Sequence, residues 1–226
     1  MRSSGSTCLR AHLRPPPSDM PAPTANARTA HGLYAIVLAA GPSTRFGSPK
    51  QLVRLAGRPL LHTVVTRAAE VTGNALIVVL GSGADQLAPL LKHSPGVVVI
   101  NRDWREGLAS SIRAGIARLP SACTGALLLL ADQAGVTTDD LRRLTGTWRK
   151  QPQYMAAALY AGTVGAPAIF PRSLFPELAA LRGDAGARVV LRRGADTLVR
   201  VPMPSAALDV DTPEDLLTIE TPAEPG

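Results

Sequence analysis

Short apolar runs alternate with amphipathic stretches along most of this chain, and the alternation sets the expected architecture. Residues 34–38 form an apolar run with β-branched members, of the length of a buried strand. Residues 74–80 (NALIVVL) are apolar almost throughout, as expected of a strand covered on both faces in a parallel sheet. Residues 97–100 read as a third strand, and residues 125–131 (GALLLLA) as the most apolar one. Between them, residues 58–71 carry Pro59 near the first turn and an apolar stripe at Leu61, Val64, Val65 and Ala68, which predicts a helix. Residues 84–92, a segment running to Leu119, and residues 137–150 supply further helices. This β-α alternation predicts a doubly wound α/β fold with a mostly parallel sheet. From Tyr154 the pattern changes to two extended pieces joined through Gly162, expected to form a lid or small subsheet where a second substrate enters. Residues 172–181 read as a helix and residues 198–201 as a last strand. Thr212-Pro213 reads as the cap and first residue of a closing helix.

The first strand breaks into Ala39, Ala40 and Gly41, followed by Pro42, Ser43 and Thr44. A loop without bulky side chains lets a ligand lie on the backbone, whose N–H groups can meet anionic oxygens. Arg45 and Lys50 follow, with Gly47 and Pro49 breaking helical continuity. Backbone donors, a guanidinium fork and a point-charge ammonium are what a triphosphate requires. A Walker loop is excluded because Gly47 is followed by Ser48-Pro49, and a dinucleotide fingerprint fails at Ser43. Gly81-Ser82-Gly83 also follows a strand, but Gln86 stands where a third glycine belongs, so that loop is expected beside a nucleotide's base or ribose.

Asp132 sits at the carboxyl end of the most apolar strand, where open α/β sheets bind ligands. A carboxylate there needs a partner, and a metal ion suits it; capping the next helix falls more naturally to Thr137. Asp209 and Asp211 alternate as in a strand, so both could approach one metal. Gly183, Asp184, Gly186 and Arg188 make a second glycine-rich loop ending in a cation at a helix start, able either to hold a phosphate or simply to turn the chain. The segment around Ser110 and Ser111 is a strand–loop–helix in which either serine could cap. No Ser/His/Asp or Cys/His arrangement is suggested, since His62 and His93 fall in predicted helices.

Charge and composition narrow the partners. The formal net charge is +7, but residues 1–32 hold four arginines against one aspartate, and no basic block exceeds a dipeptide. With 4% aromatic residues, stacking platforms for single-stranded nucleic acid are scarce. Mild steering of phosphorylated ligands is expected, without nucleic acid. No apolar run approaches the roughly 18 residues of a membrane span. Two cysteines, Cys8 and Cys123, make no disulfide framework, so a cytoplasmic setting is expected. Residues 1–31, proline-rich and without period, read as a disordered extension or as sequence upstream of a true start at Met20. One domain is expected over residues 32–219, with a frayed terminus at 220–226.

Leu38, Ala39, Ala40, Gly41, Ser43, Arg45, Phe46, Gly47 and Lys50 closely resemble the L-A-A-G-x-S-x-R-F-G-x-x-K signature of molybdenum cofactor nucleotidyltransferases. Further matches fall at Gly107, Ser111, Ile112 and Gly115 (G-M-x-x-S-I/L-x-x-G, with Leu108 for methionine) and at Asp132-Gln133-Ala134 (D-Q-P, lacking the proline). Others are Gly165, Pro167 and Phe170 (G-x-P-x-x-F), Gly183, Asp184, Gly186, Ala187 and Arg188 (G-D-x-G-A-R), and the closing D-I-D-T-P-E-D-L, which differs only at Val210. The resemblance implies a Rossmann-like nucleotidyltransferase fold and Mg²⁺-dependent transfer of CMP from CTP to molybdopterin phosphate, giving the cytosine dinucleotide used by molybdenum hydroxylases. The L-A-A-G form is similar to the cytidylyl branch, whereas the guanylyl branch tends to carry a second glycine. Implied roles are triphosphate binding and catalysis by Arg45, Lys50 and Asp132, and metal binding by Asp132 with Asp209 or Asp211. Nucleotide contacts are implied for residues 38–41, Ser43, Gly81, Ser82 and Ser111, and acceptor contacts for Gly165, Pro167, Gly183, Asp184, Gly186 and Arg188. Alternatives are GTP as donor, a sugar or alcohol phosphate as acceptor, or a non-catalytic chaperone that carries the cofactor to a hydroxylase.

Overall fold

A computed structural model describes residues 32–42, 49–55 and 57–208. Ser43, Arg45, Phe46, Gly47, Asp209, Asp211, the closing helix and both predicted terminal extensions lie outside the described residues. In chain order the strands are β1 (Leu33–Ala39), β2 (Arg54–Leu55), β3 (Arg58–Pro59), β4 (Leu76–Leu80), β5 (Val97–Ile100), β6 (Gly125–Leu130), β7 (Met155–Tyr160), β8 (Thr163–Pro171) and β9 (Leu198–Pro202). The helices are α1 (Leu60–Thr72), α2 (Ala84–Leu87), α3 (Leu108–Ile116), α4 (Thr138–Lys150), α5 (Phe175–Ala179) and α6 (Arg188–Arg193).

Seven strands form one sheet in the order β5-β4-β1-β6-β8-β7-β9, and β2 and β3 pair separately. The first four are parallel, with Ile36 opposite Ile77 on one side of β1 and opposite Leu128 on the other. The apolar runs of β4, β1 and β6 are continuous because helices cover both faces, whereas edge strand β5 buries only Val99 and leaves Val97, Val98 and Ile100 exposed. Leu33, Ala35, Val37 and Ala39 point into a core shared with α1 and α4. Ile36 and Leu38 point the other way, into a core shared with α3, α5 and α6. Two close approaches need glycine: a Cβ on Gly115 of α3 would lie 2.6 Å from Ile36, and one on Gly125 would lie 2.6 Å from the Trp148 ring of α4.

From β1 the chain builds outward to β4 and β5, then returns to the opposite flank of β1 as β6. That reversal opens a crevice beyond the carboxyl ends of the strands.

Residues 154–201, expected as a lid or small subsheet, instead extend the main sheet. β8 is antiparallel to β6 (Ala126 opposite Phe170), β7 is antiparallel to β8, and β9 is parallel to β7. The first four residues of β7 are buried, so their backbone groups need sheet partners on both sides. Only the hairpin tip stands free of β6, whose pairing with β8 stops at Leu128 while β7 and β8 continue to Tyr160 opposite Thr163. A register shift between Ala157 and Ala158 marks the departure, and positive φ at Ala161 (47°) and Gly162 (72°) closes the tip. Because β8 runs against β6, this tip projects on the same side as the crevice.

Several helices are shorter than their patterns suggest. Pro89 turns the end of the 84–92 segment into a 3-10 turn, and α5 begins only at Phe175, with Pro176 in its first turn. α3 starts after Gly107, and neither Ser110 nor Ser111 caps it. Thr137 caps α4 as expected, in a capping box with Asp140. No helix of the described residues is long and apolar enough to cross a membrane.

Candidate active site

A cavity of about 530 Å³ occupies the crevice, floored by the ends of β1 and β6. Leu38, Ala39, Ala40 and Gly41 line one wall, and a Cβ on Gly41 would meet nothing within 4 Å, so the backbone there is open to a ligand. Gln51, only 2% exposed, holds this wall in place by donating from Nε2 to the carbonyls of Ala39 and Gly41, both at 3.4 Å. Gly81 and Ser82 are not among the lining residues; they pack behind the wall. Ser82 N–H donates to the Ala40 carbonyl at 3.1 Å, and a Cβ on Gly81 would sit 2.6 Å from Trp104 Cβ and 2.8 Å from Ala40 Cβ. The glycine signal at this position therefore marks close packing.

Trp104 and Arg105 also line the cavity, Trp104 adjoining this wall through Gly81, with the guanidinium 4.4 Å above the indole centroid. They sit in a 3-10 turn between β5 and α3, where no periodic pattern could single them out. Beneath them a buried polar network holds Ser111 at the cavity surface. Asn101 Nδ2 donates to Ser110 Oγ (2.8 Å) and Ser111 Oγ (3.1 Å), its Oδ1 accepts from Asp103 N–H (3.0 Å), and Ser110 Oγ donates to the Gly107 carbonyl (2.8 Å).

Lys50 and Asp132, 82 positions apart, meet at the centre: Lys50 Nζ lies 2.6 Å from Asp132 Oδ2. The other carboxylate oxygen, Oδ1, is buried and has no hydrogen-bond partner among the described residues. A buried carboxylate oxygen left unmatched is costly, and a hard oxygen donor is what Mg²⁺ or Mn²⁺ takes. Asp132 thus fits a divalent ion. Among the described residues no group of three or more His, Cys, Asp or Glu gathers as a ready-made cluster.

The predicted acceptor residues fall into two groups. Gly183, Asp184 and Gly186 interlock with the start of α3. Gly107 holds φ = 112°, a Cβ there would collide with Gly183 and Asp184, and Ala109 N–H donates to the Gly183 carbonyl at 3.1 Å. Asp184 reaches the cavity lining. Arg113 reinforces this junction, donating to the Leu181 carbonyl (2.9 Å) and pairing with Glu106 (2.5 Å). The hydrogen bond from Arg113 holds the Glu106 carboxyl below its ordinary range. Gly165, Pro167 and Arg188 form the second group, at the hairpin. Arg188 Nη2 lies 3.4 Å from Tyr160 Oη, and a Cβ on Gly165 would crowd both. Pro167 follows a cis peptide bond, and the Ala166 carbonyl accepts from Gln133 Nε2 at 2.7 Å.

Comparison with known proteins identifies the family. Among solved structures, Rv0371c from Mycobacterium tuberculosis H37Rv superposes with a TM-score of 0.72 at 31% identity, covering 85% of this chain and 99% of that one. A structure of the same protein in complex with manganese gives 0.66 at 31% identity, covering 83% and 97%. Nicotine blue oxidoreductase of Paenarthrobacter nicotinovorans is 31% identical over 192 residues, covering 80% of this chain and 93% of its own length. Purine catabolism protein PucB of Bacillus subtilis is 28% identical over 195 residues, covering 81% and 93%. Residues 35–198, from the first strand through the start of the last, match the MobA-like NTP transferase domain, and the chain belongs to that nucleotidyltransferase family.

Proposed function

We propose that this protein transfers CMP from CTP to the phosphate of molybdopterin, releasing pyrophosphate and forming molybdopterin cytosine dinucleotide. The observation that carries the reading is the Asp132–Lys50 pair, with Asp132 Oδ1 unmatched, facing an open backbone loop across a nucleotide-sized cavity. An oxygen of the acceptor phosphate attacks the α-phosphorus in line, the bond to the α,β-bridging oxygen breaks, and pyrophosphate leaves. Little covalent chemistry is required of the protein, whose work is positioning and neutralising charge.

The N–H groups of residues 39–41 and the Ser43 segment receive the triphosphate. Lys50 and Arg45 hold its β- and γ-phosphates and offset charge developing on the leaving group. Ser111, with Gly81 and Ser82 supporting the wall, serves the nucleoside. Asp132 with Asp209 or Asp211 would hold Mg²⁺, which would supply charge neutralisation and alignment at the phosphates. Gly183, Asp184 and Gly186, with Gly165, Pro167 and Arg188 at the hairpin, receive the acceptor. Its product passes to a molybdenum hydroxylase by transient contact.

Pyrophosphate release tests this, with molybdopterin and Mg²⁺ and with CTP, GTP, ATP and UTP compared. Release with CTP, lost in Asp132→Ala, is expected. Release with GTP instead, or only with a sugar phosphate as acceptor, overturns the assigned substrates. Tight molybdopterin binding without release from any triphosphate sinks the transferase and favours a cofactor chaperone.

A further inference from the structure

Arg67 sits on α1 and takes no part in the motifs above, yet its guanidinium crosses to the loop that follows Asp132. Nη1 donates to the Ala134 carbonyl at 2.7 Å and to the Val136 carbonyl at 2.8 Å. Burial lowers the pKa of this guanidinium, against the opposing charges of Glu70 and Asp140, so the site accepts a desolvation cost to keep a cation at these two carbonyls. Buried Gln133 in turn ties the loop to the hairpin and to the chain after β9, through the carbonyls of Ala166 (2.7 Å) and Ala206 (3.4 Å). Within the loop the bonds are short turns, Ala134 N–H to the Asp132 carbonyl (2.8 Å) and Val136 N–H to the Gln133 carbonyl (3.3 Å), and one longer tether runs from Gly135 N–H to the Leu208 carbonyl (3.4 Å). Ala134 leaves φ unrestrained by any ring.

We propose that Arg67 is a positioning residue for Asp132, clamping residues 132–136 so that the carboxylate faces the cavity in one orientation. The carboxylate is held through one oxygen: Oδ2 pairs with Lys50 at 2.6 Å, and Oδ1 has no hydrogen-bond partner among the described residues. Its direction depends on that ion pair and on the backbone beneath it, which Arg67, Gln133 and the Gly135–Leu208 bond hold in place. A displacement of about 1 Å in such a group is enough to cost orders of magnitude in rate. The kinetic part of this inference rests on the proposed nucleotidyl transfer; the clamp itself does not.

The test uses the full chain with Arg67→Met and Arg67→Lys, and with Arg172→Met as a matched control. Arg172 also donates to a backbone carbonyl, that of Cys123 at 3.0 Å, but at the amino end of β6. Hydrogen-exchange mass spectrometry should show residues 132–136 exchanging about tenfold faster in Arg67→Met and unchanged in Arg172→Met. Pyrophosphate release should lose about tenfold or more in kcat with the CTP KM within about twofold, and Arg67→Lys should recover to within about threefold of the parent. Unchanged exchange in Arg67→Met overturns the clamp, and so does an equal kcat loss in Arg172→Met. If the parent protein turns over no triphosphate, the proposed reaction fails, and the exchange measurement alone still decides the clamp.

Discussion

The two halves of the sheet solve different problems. In β5-β4-β1-β6 every neighbour is parallel, and the chemistry is confined to strand ends: the loop after β1 and Asp132 after β6. In β8-β7-β9 the pairing is mixed, a register shift interrupts it, and the candidate acceptor residues sit on a projecting tip and on a loop borrowed by α3. On the proposed reading the first half is a fixed floor for the donor's triphosphate. On the same reading the second half offers adjustable contacts to the acceptor. Shared chemistry needs rigidity, whereas acceptor choice needs surfaces that can change without disturbing the floor.

Four measurements can break or sharpen that contrast. Asp132→Ala should abolish the floor's contribution, lowering kcat by roughly 10²–10³-fold while the thermal midpoint stays within a few degrees; retention of activity would remove Asp132 from the chemistry. Arg188→Met should act on one side only, raising the acceptor KM about tenfold and leaving the CTP KM unchanged. An equal effect on both substrates would mean the halves are not separable. Gly107→Ala attacks the junction between them. It forces a side chain into φ = 112° and into Gly183 and Asp184, so urea unfolding should register a loss of about 1–3 kcal/mol, with both KM values rising together. Gly186→Ala, whose Cβ would press only on the end of Leu108 at 3.1 Å, is the tolerated comparison.

The smallest effect concerns how the two halves are pinned at α4. Burial pushes the Asp140 carboxyl up, but hydrogen bonds from Ser205 and Thr137 and the charge of Arg143 outweigh it, leaving a pKa below the usual value. A carboxyl depressed on folding contributes stability that is present above its unfolded pKa of about 3.9 and is lost as pH falls through the lower folded value. Thermal melts from pH 6 to pH 3 should therefore show an acid-side loss that Asp140→Asn flattens. Thr137→Ala, removing the cap, should cost about 1 kcal/mol at neutral pH.

Much of the floor could be read directly from the sequence. A strand covered on both faces must be apolar throughout, so residues 34–38, 74–80 and 125–131 announced themselves, and the glycine loop and Asp132 followed from their ends. Thr137 was legible because a cap is a local event. The hairpin's attachment to β6 was not, since the pairing of Ala126 with Phe170 joins residues 44 apart through apolar patterns that suit either a separate subsheet or the main one. Trp104, Arg105, Gln51 and Arg67 escaped for a related reason. Each acts through contacts that depend on where loops and helices come to lie, and none belongs to a repeating pattern. Gly81 shows the limit of a local motif, because a glycine after a strand marks close approach, here to Trp104 and Ala40, without naming the neighbour.

The placement of the two tryptophans has a practical consequence. Trp148 is 1% exposed, lies against Gly125 and donates from Nε1 to the Tyr154 carbonyl, so its emission reports whether α4 remains seated on the sheet. Trp104 forms part of the cavity wall under a stacked guanidinium, where an arriving anion or aromatic ring alters its surroundings directly. The molecule thus carries two intrinsic optical reporters. Selectively excited, and separated by Trp104→Phe and Trp148→Phe, they would let occupancy of the crevice and integrity of the fold be followed in one cuvette without a label.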